Sequence, residues 1–241
     1  LLALTASEAG YSVLLVDAAD SLGTLHYLVG ASPSRGLADL KGGAVSASEL
    51  LVPVTTTLTL LPGGARDDSL TTVERRALYR RVAELYASYD LVVVDGGSRL
   101  ESVMGVSAAG AERLIAVTTS DRIAVAAAYA LIKAAAAKHP ELHAEVLLNG
   151  CEEGMAAYGY ELIQTAAEQF LERNVALSGV VPHDASLKAA LGEGMMIGDA
   201  AAGSPAAIVM HEIAMRLLDE LQTEHTGQPR SAESRHSQSR S

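Results

Sequence analysis

The chain has 241 residues, a net charge of −11 and 49% hydrophobic residues, a composition typical of a globular protein rather than of a disordered one. The acidic balance argues against the broad basic surface with which proteins bind nucleic acids. The single cysteine, Cys151, excludes an intramolecular disulfide and a multi-cysteine metal site, and it suits the reducing cytoplasm, where we expect the protein to reside. No apolar run approaches the roughly 20 residues of a membrane-spanning helix.

Six short apolar runs are predicted to be strands, and longer stretches with helical periodicity lie between them. Runs that are rich in Val and Leu are typical of strands buried on both faces. The chain reads as helical from its first residue, and the predicted strands then cover residues 12–17, 57–61, 91–95, 113–119, 144–149 and 177–181. The predicted helices cover residues 69–88, 121–138, 158–173, 186–191 and 204–221. This alternation predicts an α/β fold with a doubly wound, mostly parallel sheet and helices on both faces.

The chain shows no clear internal boundary up to residue 222, so residues 1–222 are predicted to form one domain. Residues 223–241 are polar and lack apolar periodicity, and we predict that they form a disordered tail. The tail has three arginines interspersed with glutamates, and it has none of the large aliphatic side chains of a lipid-binding amphipathic helix. We therefore expect neither a direct membrane anchor nor direct nucleic-acid binding.

Two of the predicted strands end in an aspartate that is followed by small residues, at Asp17 and at Asp95. Ligands of doubly wound sheets bind at the carboxyl ends of the strands. A carboxylate at that edge can hold Mg²⁺, which prefers few carboxylates and keeps several waters. Each aspartate alone is better explained as the cap of a turn. Together, Asp17 and Asp95 favour a shared metal or phosphate site, and no pair of residues with the spacing of a catalytic nucleophile and base accompanies them.

Two further motifs bear on nucleotide binding. Asn149 ends a predicted strand, and its amide offers both the donor and the acceptor that an adenine edge requires, although an Asx-turn is the simpler local explanation. Residues 41–46 read K-G-G-A-V-S, which resembles the start of a phosphate loop. They follow a short predicted helix rather than a strand, and they lack the Gly-Lys-Ser/Thr ending, so we interpret them as a helix C-cap turn.

Several short segments follow one another in a fixed order between Leu1 and about Leu221, and each is weak alone. They are A-G-Y-S-V-L-L-V-D at 9–17, L-L-P-G-G at 60–64, Y-D-L-V-V-V-D at 89–95, T-T at 118–119, A-Y-A-L-I-K at 128–133 and G-V-V-P-H-D at 179–184. Together they resemble the MinD/ParA family of P-loop ATPases, most closely its MinD, FlhG (FleN) and YlxH types.

The resemblance implies a P-loop fold of the SIMIBI type that binds ATP and Mg²⁺. It implies that Asp17 and Asp95 hold the metal, and that Asn149, Pro182 and Asp184 flank the nucleotide. It also implies an ATP-dependent homodimer and a protein partner not yet identified. The implied function is a dimerisation switch in spatial regulation, in flagellar number or placement, cell division or partitioning.

The departures from the family concern the phosphate site. The family's K-G-G-x-G-K-T loop and its first strand are expected just before Leu1, so the chain is expected to be truncated there and to bind ATP and Mg²⁺ weakly or not at all. The second aspartate of the family's D-x-D motif is replaced by Ala19, which leaves ATP hydrolysis an open question. The alternative is a degenerate, non-hydrolysing paralogue that serves as a localisation or assembly module, as TadZ/CpaE-like proteins do. A Rossmann dehydrogenase is a more distant alternative, because no G-x-G-x-x-G follows a strand.

Overall fold

A computed structural model describes residues 1–19, 23–63, 72–100, 103, 105 and 110–227. The strands within these ranges are β1 (Val13–Asp17), β2 (Val52–Pro53), β3 (Leu58–Leu61), β4 (Leu91–Asp95), β5 (Arg113–Thr118), β6 (His143–Asn149) and β7 (Ala176–Val181). The helices are α1 (Leu2–Glu8), α2 (Leu25–Leu28), α3 (Thr72–Ala83), α4 (Arg122–Lys138), α5 (Glu153–Leu171), α6 (Ala185–Gly192), α7 (Ile197–Ala200) and α8 (Pro205–Gly227). Three 3-10 helices cover Leu37–Gly42, Ala47–Leu50 and Tyr86–Ser88.

The strands form two hydrogen-bonded sheets. The first has the order β2-β3-β1-β4 and the second the order β5-β6-β7. All neighbours are parallel except β2 and β3, which are antiparallel. The predicted α/β class and the mostly parallel pairing are therefore confirmed, whereas the strands that we expected in one sheet are divided between two.

Strand β1 shows why its apolar run forms a central strand. Val13 and Leu15 face one apolar cluster, whereas Leu14 and Val16 face another. All four side chains are buried, as expected for a strand covered on both faces. Helices α1 and α8 contribute to the first cluster, and α3 with the 3-10 helix Leu37–Gly42 contributes to the second.

Helices α1 and α8 also connect the two sheets on one face. In α1, Leu4 shares a cluster with Leu91 of β4, while Leu2 shares a cluster with Ile115 of β5. In α8, Leu218 belongs to the first of these clusters and Leu217 to the second. The pair of helices therefore lies over the interval between β4 and β5, and it holds both sheets against one layer.

Helices α4 and α5 cover the opposite face of the second sheet. The N-cap of α4 is Asp121, whose Oδ1 accepts hydrogen bonds from the amides of Ile123 (2.9 Å) and Ala124 (3.2 Å). Both helices pack side chains at helical spacing onto Val146 and Leu148 of β6. The C-terminal ends of β5 and β6 consequently lie beside the N-terminal ends of α4 and α5.

Several predicted bounds differ from those observed. Helix α5 begins at Glu153 rather than at residue 158, and α8 continues to Gly227, beyond the predicted domain limit at residue 222. Residues 228–241 of the predicted tail lie outside the described residues. The interpretation of residues 41–46 is confirmed, because Leu37–Gly42 is a 3-10 helix that ends at Gly43 with φ 70°. In the described part of the chain, no helix combines the length and apolar character needed to cross a bilayer.

Candidate functional site

The carboxyl edge of the first sheet brings two aspartates together. Asp17 is the last residue of β1, and it lies directly opposite Asp95, the last residue of β4. The amide of Ala18 donates a hydrogen bond to the carbonyl of Asp95 (2.9 Å), so the pairing continues one residue past the strand. The predicted proximity of Asp17 and Asp95 at one sheet edge is therefore confirmed.

The carboxylate of Asp17 is buried and only half satisfied. Its residue is 1% exposed, and Oδ2 accepts a hydrogen bond from the amide of Leu25 at 3.1 Å. Oδ1 is buried, and no described residue donates a well-formed hydrogen bond to it. Burial raises the pKa of Asp17 above its ordinary value, and the nearby Asp95 carboxylate adds to this rise. The amides of Leu25 and Ala19 and the charge of His26 act in the opposite direction but do not cancel it. An unpaired buried oxygen is costly, so Oδ1 has the environment of an atom whose partner is a ligand.

Three glycines let the backbone close around Asp17. A methyl group added at Gly23 would lie 2.8 Å from Asp17 Oδ2, and one added at Gly63 would lie 3.1 Å from Asp17 Cγ. A methyl group at Gly36 would lie only 1.6 Å from the Gly63 carbonyl oxygen. We call Gly23, Gly36 and Gly63 the glycine collar. It brings two backbone segments from distant parts of the chain onto one carboxylate, which explains the burial of Asp17.

Two further contacts fix this edge. The hydroxyl of Tyr79, on α3, donates a hydrogen bond to the carbonyl of Ala18 (3.0 Å). The half-buried Asp95 accepts a hydrogen bond at Oδ1 from the amide of Gly97 (2.9 Å). Neither Tyr79 nor the glycine collar was among the sequence-predicted site residues. The pattern of apolar and polar residues along one segment cannot reveal them, because their roles depend on contacts between segments far apart in the chain.

The residues present fit a magnesium ion better than a transition metal. Among the described residues, no group of three or more His, Cys, Asp or Glu side chains could hold a metal. Mg²⁺ is commonly bound through one or two carboxylates, with water and substrate phosphates completing its octahedron. Asp17, with its unpaired Oδ1, and Asp95 would be those carboxylates.

The carboxyl edge of the second sheet brings Asn149 and Pro182 together. Asn149 ends β6 directly opposite Val181, and Pro182 follows that residue. The amides of Gly150 and Cys151 both donate to the Val181 carbonyl, at 2.8 and 3.2 Å. The exposed side-chain amide of Asn149 makes no hydrogen bond to any other described residue, so the Asx-turn is not formed and the amide remains open to a ligand.

Asp184 differs from the other predicted site residues because its carboxylate is already occupied. It is the N-cap of α6, where it accepts hydrogen bonds from the Leu187 amide (2.9 Å) and the Ser186 hydroxyl. It also accepts from the Ser204 hydroxyl (2.6 Å) and the Ala206 amide (3.4 Å), which ties α6 to the start of α8. These bonds hold the pKa of Asp184 well below its usual range. The structure thus gives Asp184 a capping role, and its contact with a nucleotide stays a prediction.

Two curated bacterial proteins are similar to the chain in sequence. The antiactivator FleN of Pseudomonas aeruginosa is 23% identical over 222 residues, which cover 90% of this chain and 79% of FleN. The flagellum site-determining protein YlxH of Helicobacter pylori is 24% identical over 226 residues, or 92% of this chain and 76% of YlxH. No protein-family model matches the chain.

The fold is similar to that of solved cell-division ATPases. The septum site-determining protein MinD of Pyrococcus horikoshii, solved with Mg-ADP, superposes with a TM-score of 0.68 at 20% identity. The superposition covers 92% of this chain and 88% of that MinD. The chain is thus similar in sequence to FleN and YlxH and in fold to MinD, which confirms the resemblance predicted from the sequence, whereas the predicted truncation stays a prediction.

Proposed function

We propose that the protein is a MinD/ParA-type nucleotide switch that regulates the number or placement of flagella. The observation that carries this proposal is the buried, unpaired Oδ1 of Asp17 beside Asp95 at the carboxyl edge of parallel strands. YlxH, whose name describes the determination of the flagellum site, supports the choice of process, and the antiactivator FleN supports a regulatory role. The switch would bind Mg-ATP, associate as a homodimer in that state, and act in the cytoplasm through a protein partner.

The phosphate-binding part of the proposed site would lie between the two sheets. Within the described residues, no strand pairs with the outer edge of β4 or with that of β5. Both edges are apolar and incompletely buried, and α1 lies over the interval between them. We propose that the strand and K-G-G-x-G-K-T loop implied by the resemblance occupy this interval. The loop would then open beside Asp17 and Asp95, where its backbone amides could hold phosphates.

Different residues of the chain would bind the metal and the adenine of the nucleotide. When bound, Mg²⁺ would neutralise phosphate charge, and the Asp17 and Asp95 carboxylates would orient its water ligands. The amide of Asn149 would hydrogen-bond the adenine edge, and Pro182 would contact the ring beside it. Ala19 has no group that can orient an attacking water, so we expect hydrolysis to be slow even with the loop in place.

The coding sequence upstream of the Leu1 codon gives the first test, because the proposal requires a K-G-G-x-G-K-T segment there. At the lowest protein concentrations that sedimentation can detect, the longer chain should then be a monomer without nucleotide and a dimer with ATP and Mg²⁺. Asp95→Asn should weaken that shift, whereas Glu212→Lys, an exposed change on α8, should not. A longer chain that contains the segment and stays monomeric with saturating Mg-ATP would contradict the proposed switch.

A second candidate is a non-hydrolysing module that uses the same fold for localisation or assembly. Ala19, in place of the second aspartate of D-x-D, is the observation that favours it. Phosphate release by the longer chain in the presence of Mg²⁺ distinguishes the candidates. Magnesium-dependent turnover would exclude the module, and nucleotide binding without turnover would support it.

A further inference from the structure

The outer surfaces of α4 and α5 expose several large apolar side chains. Ile123 at the start of α4 is 80% exposed, and Met155, Tyr158 and Leu162 on α5 are 54%, 48% and 36% exposed. The three α5 residues follow i, i+3, i+7 spacing and therefore share one helical face. We call the surface that these four exposed residues mark on α4 and α5 the helical face.

The charges on the two helices are completely segregated by sign. Helix α4 carries only basic charges, Arg122, Lys133 and Lys138, whereas α5 carries only acidic ones, Glu153, Glu161 and Glu168. Among the described residues, no ion pair joins α4 to α5. Within the described part of the chain, the basic residues of α4 and the acidic residues of α5 therefore do not pair with each other.

The two helices run side by side in the same direction. Each connects neighbouring parallel strands of the second sheet, α4 from β5 to β6 and α5 from β6 to β7. They pack closely, since a methyl group added at Gly159 of α5 would lie 3.4 Å from Val125 Cγ2 of α4. The helical face therefore lies on two parallel helices. One helix carries only basic charges, the other carries only acidic charges, and both expose apolar side chains.

We infer that the helical face binds a second copy of the same chain. A two-fold axis that runs parallel to the helices places α4 of each copy on α5 of the other, so that basic residues meet acidic ones on both sides. An axis across the helices would instead place α4 on α4 and α5 on α5, with like charges opposed. The charge pattern thus selects one dimer geometry, and the exposed Ala126 and Ala130 of α4 leave room for the larger side chains of α5.

This contact is separate from the proposed nucleotide-dependent dimer. It uses the outer faces of α4 and α5 rather than the carboxyl edge with Asp17 and Asp95, and it requires no nucleotide. Its test can therefore be carried out on the 241-residue chain alone. Failure of this inference would leave the proposed switch untouched, and failure of the switch would leave this contact intact.

Sedimentation velocity without nucleotide gives the test, over protein concentrations from about 1 to 300 µM, where weak dimers are detected. The unmodified chain should dimerise, and higher salt should weaken the dimer because exposed charge pairs are screened. The double variants R122E/K133E on α4 and E161K/E168K on α5 should each raise the dimer dissociation constant at least about tenfold. The matched control, E193K/E212K, reverses two exposed charges away from the helical face and should leave the constant unchanged.

A mixture of the two double variants makes the test specific for contacts between copies. One variant then has acidic residues on both helices and the other has basic residues on both, so only the mixed dimer pairs opposite charges. The equimolar mixture should dimerise with a dissociation constant within about threefold of the unmodified chain. Circular dichroism melting checks that each variant is folded. An unmodified chain that stays monomeric at the highest concentration, or folded variants whose mixture does not recover, would overturn the inference.

Discussion

Each of the two carboxyl edges has an aspartate at or shortly after the end of a strand. Asp17 at the first edge and Asp184 at the second differ in how far their oxygens are already hydrogen-bonded. At the first edge, Asp17 is buried, one of its oxygens has no partner among the described residues, and backbone segments crowd around it. At the second edge, Asp184 accepts four hydrogen bonds and caps a helix. An aspartate near a strand end is therefore weak as a sign of a site. The state of its oxygens in the fold separates a ligand-binding carboxylate from a structural one.

The largest expected effect concerns turnover, because neither edge contains a phosphate loop in these 241 residues. Backbone amides and a lysine supply much of the transition-state stabilisation in P-loop enzymes. We therefore expect ATP hydrolysis at least about 1000-fold slower than in a relative that has the loop. A phosphate-release assay at saturating ATP and Mg²⁺ checks this. Turnover at a rate comparable to that of such a relative would show that the chain contains a phosphate-binding site that neither edge accounts for.

The glycine collar offers a sharper test of the first edge. Gly36→Ala should lower the free energy of unfolding by about 3 kcal/mol, because its methyl group would overlap the Gly63 carbonyl and force the backbone apart. The matched control is Gly198→Ala on α7, where the methyl group meets no atom within 4 Å. Urea denaturation measures both variants. Equal stability of the two would mean that the collar is not as closely packed as described.

The second edge should lose stability when its carboxylate is removed. Asp184→Ala removes the cap of α6 and its link to α8, so the loss should exceed that of Asp121→Ala, which removes only the cap of α4 at a cost of about 1 kcal/mol. The depressed pKa of Asp184 stabilises the fold above the ordinary carboxyl pKa of about 4, and this contribution is lost as the pH falls through the lower, folded value. Unfolding curves at pH 7 and pH 3 should show a smaller difference between variant and parent at the lower pH.

The first edge should respond with the opposite sign and the smallest change. Asp17→Asn should raise the free energy of unfolding at pH 7 by about 1 kcal/mol, since it removes a buried charge and keeps an acceptor for the Leu25 amide. The raised pKa of Asp17 makes its charge a cost to the fold at neutral pH, and that cost disappears below about pH 4. The variant's advantage should shrink over the same range, and a loss of stability at pH 7 would contradict this reading of the site.

The sequence predicted the parts of the fold that depend on local pattern. The strands β1, β4 and β6 were placed within one residue because their apolar runs are continuous and end in polar residues. The division into two sheets and the short elements β2, α2 and α7 were not predicted. Two to four residues carry too little periodicity to stand out from a loop.

The site residues also fall into two groups, those that the local sequence pattern predicts and those whose roles depend on contacts with distant segments. Asp17 and Asp95 were predicted because parallel strands end at one edge, whereas Tyr79 reaches Ala18 from 61 positions away. The collar glycines have no local signature either, since their importance lies in contacts between three segments. The capping role of Asp184 depended on Ser204, twenty positions later, which no strand-end argument could include.

The central claim is that Asp17 and Asp95 are the magnesium pair and that Asp184 is structural. The direct test is calorimetric titration of ATP into the longer chain that carries the loop, with and without Mg²⁺, at a temperature where all variants are folded. Asp17→Asn and Asp95→Asn should remove most of the magnesium-dependent gain in affinity, at least about tenfold, because each removes a carboxylate from the metal's surroundings. Asp184→Asn should keep that gain. The account would be contradicted if Asp184→Asn alone abolished the magnesium dependence while the first two variants retained it.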